Sequence, residues 1–168
     1  MMKRFVALML MLAFSIVAVA QENRMFEKGY LGSVEVGAQV AVGKRVAGSA
    51  VILQMENGYR FGNGVSLSGI FGAMMDIGTN VYIPISVRAK YSILDRKISP
   101  FVSVQTGGRF QVYGDESDRC FTMGSSVGMD WSRFSVALMY EYAAGKTWAD
   151  VERLYKLNTI SMLFAVHF

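Results

Sequence analysis

Five stretches hold residue types that could do chemistry. Gly124-Ser125-Ser126-Val127-Gly128 fits G-x-S-x-G, which sets a nucleophilic serine on a strand-to-helix turn, with acid and histidine partners following in that order. Here the motif lies inside an alternating run and no helical pattern follows. The one histidine, His167, is next to the last residue. Ala144-Gly145-Lys146-Thr147 resembles the end of a phosphate loop, but Tyr140 occupies the position of its first glycine. Asp115, Glu116 and Asp118 lack calcium-loop spacing, and a lone histidine with the single Cys120 offers no zinc set. We therefore expect no catalytic residue, no metal and no cofactor.

A larger group of polar residues recurs at every second position of otherwise apolar runs. Glu35, Glu56 and Glu141 share this placement with Arg60, Arg88, Lys90 and Arg109, and Gln39, Gln54, Gln105 and Gln111 fall between them. Such charges are tolerated on a closed interior only if opposite signs meet. The expectation is a hydrogen-bonded plug, with residual lumen water as the alternative.

The elements that must position these groups are strands. Period-2 alternation predicts eight, over 30–42, 50–61, 65–74, 81–91, 100–112, 120–131, 134–142 and 157–168. Gly62-Asn63-Gly64 is a tight turn, since these residues accept positive φ. Pro84 suggests a bulge or strand end. Connections after the second, fourth and sixth segments are short, and the others are longer. An even count, runs near ten residues and this alternation of turns fit an all-β, eight-stranded antiparallel up-and-down transmembrane β-barrel.

Aromatic residues give a separate indication. Tyr30, Phe61, Tyr91, Trp131, Phe134 and Phe168 fall at the short-turn ends, and Phe71, Phe110, Phe121, Tyr140 and Tyr142 are expected near the other rim. Two aromatic belts at headgroup depth are the mark of a membrane barrel. A soluble exported β-protein is the alternative at the level of fold.

Composition agrees with one exported domain. Of the 168 residues 52% are hydrophobic, yet the one long apolar run is N-terminal. Residues 1–20, with Lys3, Arg4, an apolar core and Ala18-Val19-Ala20, read as a cleaved signal. Residues 21–29 form a short leader and 30–168 the barrel. Without Lys3 and Arg4 the 17 basic residues become 15 against 13 acidic ones, so no nucleic-acid partner is expected.

The runs 56–72 (ENGYRFGNGVSLSGIFG) and 83–110 (IPISVRAKYSILDRKISPFVSVQTGGRF) resemble the small, porin-like outer-membrane β-barrel proteins of Bacteroides-type Gram-negative bacteria. The resemblance spans most of the mature chain. It implies an outer-membrane location and a terminal strand, Asn158 to Phe168, that is handed to the barrel-assembly machinery. It brings no catalytic residues. The expected partners are outer-membrane lipids and lipopolysaccharide, and the expected state is a monomer. Loops 43–49, 113–119 and 143–153 are the expected contact surface, with Trp148 as its first contact residue. The functional expectation is a structural or surface-interacting barrel. A lipid-modifying enzyme using Ser126 or His167, or a narrow solute conduit, is the alternative.

Overall fold

The structure, a computed structural model, describes residues 26–42, 49–76, 80–113, 118–147 and 153–168. Eight strands follow one another: β1 (Gly29–Val42), β2 (Ser49–Arg60), β3 (Val65–Asp76), β4 (Val81–Ser92), β5 (Ile98–Tyr113), β6 (Asp118–Trp131), β7 (Phe134–Thr147) and β8 (Arg153–His167). Each pairs antiparallel with the next. β8 returns to β1 from Ser33↔His167 to Val42↔Asn158, closing the barrel.

The register fixes the geometry of closure. The row of paired residues that leaves Val42 passes Asn158, Tyr142, Met123, Thr106, Val87, Gly69 and Asn57, and re-enters β1 at Gly32. It thus comes back ten residues lower than it started. With eight strands, a stagger of ten residues tilts each strand by roughly 40° and raises the chain about 2.5 Å per residue along the axis. Strands of 12 to 16 residues are therefore long enough to cross a bilayer.

Alternation sets the two faces. The outward rows are apolar and exposed, as at Leu53 (50%), Val104 (60%), Leu138 (54%) and Met162 (63%). The inward rows hold most of the buried polar groups. This reverses the arrangement of a soluble domain, in which a buried charge is the rarity.

The turns are those their sequences dictate. Gly62 and Gly64 take φ values of 82° and 83°, Phe61 N–H donates to the Val65 carbonyl, and the Asn63 side chain accepts from Val65 N–H. Ahead of β1, Phe26 N–H donates to Asp95 Oδ1 at 3.2 Å, so the end of the leader crosses the turn end of the barrel.

Several sequence expectations change. β7 and β8 run to Thr147 and from Arg153, so most of the expected 143–153 loop is strand. Ala143, Ala144 and Gly145 are small on both faces and carry no alternating signal, although their ladder to β8 continues. Likewise Tyr113, Asp118 and Arg119 belong to β5 and β6, and Ser49 to β2. Trp148 lies outside the described residues. The asymmetry expected in the connections resides largely in the strands: β5 to β8 stand about 5–10 Å beyond β1 to β4 at the end opposite the short turns.

Pro84 is inward and buried, and pairs with Arg109. Its ladder to β3 is interrupted between Phe71↔Ile85 and Met74↔Tyr82, beside a proline that has no N–H to give. The register shift itself lies at Val81/Tyr82, where Val112 is the extra residue of β5. Tyr30, Phe61, Tyr91, Trp131 and Phe134 are exposed at the short-turn end, and Phe168 N–H donates to the Gly32 carbonyl there. At the other end Phe110, Phe121 and Tyr142 form the second belt, about 25 Å from the first. Tyr140 and Phe71, expected at that rim, stand near mid-wall because β7 and β3 extend past them.

Candidate functional site

The candidate site is the lumen, built from alternate residues of all eight strands. At its centre is Arg88 of β4. Its Nη1 donates to Glu35 Oε1 at 2.5 Å and to Glu56 Oε2 at 3.3 Å. Nη2 reaches Glu35 Oε2 at 3.2 Å and Gln105 Oε1 at 3.0 Å. Nε also donates to Gln105 Oε1 at 3.2 Å. Glu56 accepts further bonds from the Ser33 and Ser68 hydroxyls, and Glu35 from Gln54 Nε2. One planar guanidinium thus holds two carboxylates from β1 and β2, a geometry lysine cannot supply.

Gln105 links this group to a second one nearer the long-strand rim. Its Nε2 donates to Glu141 Oε2 at 3.3 Å, and Glu141 is paired with Arg109, whose Nη2 also reaches Gln39 Oε1 at 3.1 Å. A third group lies near the short turns. Lys90 Nζ sits 2.8 Å from Asp130 Oδ1 and 4.1 Å from the centre of the Phe101 ring. His167 Nε2 is 3.7 Å from the same Asp130 oxygen, too long for a hydrogen bond. Arg60 is buried in the field of Asp130 and Glu56.

The seven expected interior charges all turn inward and are buried. The eighth, Asp130, was missed although the parity of β6 already opposes it to Trp131. Among the described residues, Asp130 brings the buried charges to four carboxylates and four cations, a balance the other seven lack. Gln111 is only half-buried and donates to Asn80 Oδ1 at the rim, outside this network. An apolar group that the sequence reading did not name, including Ala50, Ile52, Met74 and Leu163, fills the space beside the charges. Its signal was the apolar residue at inward positions of β2 and β3.

A cavity between Glu35, Arg88, Lys90, Phe101 and Ser126 measures about 10 Å³, room for about one water. A furrow of about 610 Å³ lies over Ala89, Val104 and Ser125 on the outer wall, not in the lumen.

The G-x-S-x-G stretch lies wholly within the described residues. Ser126 stands in mid-strand, with its hydroxyl 2.7 Å from that of Ser103, and β6 continues to Trp131 without a helix. The turn a nucleophile elbow requires is absent from this stretch. Cys120 is a half-buried free thiol. Residues 114–117 of the acidic loop lie outside the described residues.

No protein-family model and no curated protein matches the chain. Among solved structures it is similar to Neisserial surface protein A, with a TM-score of 0.58 and 11% identity over 84% of this chain and 99% of that one. It is also similar to a chain from the de novo design of transmembrane beta-barrels, with a TM-score of 0.53 and 15% identity over 82% and 95%. At these identities the likeness is one of fold: a closed, eight-stranded antiparallel barrel of the transmembrane kind.

Proposed function

We propose that the chain is an integral barrel of the outer membrane, filled by its own side chains, with a structural or surface-interacting role and no catalytic one. The observation that carries this reading is the balanced lumen, in which Arg88, Arg109 and Lys90 are each tied to carboxylates while the outward rows stay apolar. Opening such a plug would leave charges without partners in a low-dielectric interior. Planar bilayers holding the purified barrel should show no stable, large conductance. Sustained porin-sized openings would contradict it.

The resemblance to Bacteroides-type barrels belongs to the same proposal. So do recognition of the terminal strand, Asn158 to Phe168, by assembly machinery, a monomeric state and contact with outer-membrane lipids. The lipid-modifying alternative is checked separately. Ser126→Ala and His167→Ala should leave lipid A and phospholipid profiles of expressing cells unchanged, and a lost modification in either would restore the enzyme reading.

A further inference from the structure

One row of cross-strand partners runs Glu35 of β1, Ala165 of β8, Ser135 of β7 and Asp130 of β6. Its two ends belong to different charge groups, Glu35 to that of Arg88 and Asp130 to that of Lys90. The positions between them carry alanine and serine, the smallest side chains after glycine's, and leave the groups apart. Among the described residues no side-chain hydrogen bond joins Lys90 or Asp130 to Arg88, Glu35 or Glu56. The cavity of about 10 Å³ lies at this joint, with Glu35, Lys90, Phe101, Ser126, Ser135 and Ala165 in its wall.

The polar groups around that space have hydrogen-bonding capacity left over. Lys90 carries three N–H donors; one goes to Asp130 Oδ1 at 2.8 Å, and the Phe101 ring faces the ammonium at 4.1 Å. The Ser103 and Ser126 hydroxyls share one bond of 2.7 Å, which uses only one of their two protons. Ser135 is 5% exposed, and its hydroxyl makes no hydrogen bond among the described residues. Glu35 accepts two bonds from Arg88 and one from Gln54, where a carboxylate has sites for about four. Buried polar groups in this condition are costly unless something at the centre serves them.

Size and charge select what that is. A polar space of this volume suits one water, which takes about two to four partners. Arg88 and Lys90, both in the wall, oppose a metal ion. We propose that one ordered water binds at this joint, accepting from Lys90 Nζ and donating to Glu35, with Ser135 and Ser126 as its further partners. It ties the Arg88 and Lys90 groups into a single network. This rests on the reading of the lumen as a plug, since a water enclosed by buried side chains exchanges only when the plug yields.

The test counts long-lived waters by oxygen-17 magnetic relaxation dispersion, on the full mature chain in phosphatidylcholine nanodiscs. Ser135→Val, which adds bulk and removes the hydroxyl, should show about one long-lived water fewer than the unaltered chain. Ala137→Val, which fills the same space from the next inward position of β7, should lose the same water. Thr159→Val, which removes a buried hydroxyl that does not line this space, should lose none. Far-ultraviolet circular dichroism identifies the variants that fold. Equal counts in the unaltered chain and a folded filling variant overturn the site, as does an equal loss in Thr159→Val. An unaltered chain with no long-lived water overturns it without any variant. A nickel chelate that relaxes a spin label at position 86, in a Cys120→Ser background, marks an open lumen and overturns the plug reading with it. Exclusion of the chelate together with unchanged counts overturns this inference alone.

Discussion

Arg88 is the residue on which the interior depends most, because two carboxylates from different strands share its guanidinium. Arg88→Met would leave Glu35 and Glu56 buried without the guanidinium that pairs both, a loss of about 3–5 kcal/mol. Urea unfolding in vesicles, followed by far-ultraviolet circular dichroism, should show it, and Glu35→Gln/Glu56→Gln/Arg88→Met should recover most of it. An unchanged midpoint for the single variant would mean these charges are not paired as described. Asp130→Asn should cost about 1.5–3 kcal/mol, since it removes the carboxylate hydrogen-bonded to Lys90. His167→Ala should cost less by the same measurement, because neither ring nitrogen makes a hydrogen bond within the protein. The inward charges were legible in the sequence because a charge among alternating apolar residues has one face open to it. Their pairing was not, because Arg88 meets Glu35 across 53 residues of chain and the register decides that meeting.

At the scale of elements, close strand packing depends on small residues at particular inward positions. A Cβ at Gly107 of β5 would stand 2.1 Å from the Ile85 carbonyl oxygen of β4, which is backbone and cannot turn aside. At Gly69 of β3, on the outer face, the nearest atom would be 4.0 Å away. Gly107→Ala should therefore destabilise the barrel by about 1–3 kcal/mol. Gly69→Ala should change stability by less than about 0.5 kcal/mol. Equal effects of the two in the same urea titration would show that β4 and β5 do not pack in this register. Strand existence was readable because the 2.0-residue period is carried by side-chain size and polarity. Strand ends are not, since Ala143-Ala144-Gly145 has little of either to alternate, and so the upper end of the β7–β8 hairpin reads as loop in the sequence. The same shortfall displaced Tyr140 from the rim to mid-wall.

The whole molecule is an inverted protein: its charges meet inside, and its apolar rows face outward between two aromatic belts about 25 Å apart, the height of a hydrocarbon band crossed by an outer-membrane barrel. The alternation foretold this inversion, and the ten-residue stagger, visible only in the register, explains why strands of these lengths suffice. Spin labels placed singly at positions 83 to 91 of β4, in a Cys120→Ser background in vesicles, test inversion and closure together. Labels at Ile83, Ile85, Val87 and Ala89 should be relaxed by oxygen and not by a water-soluble nickel chelate, and those at Ser86, Arg88 and Lys90 by neither. Relaxation of the even positions by the nickel chelate would mean an open, watery lumen. Relaxation of the odd positions by it would mean that the outer wall faces water, and would contradict the account as a whole.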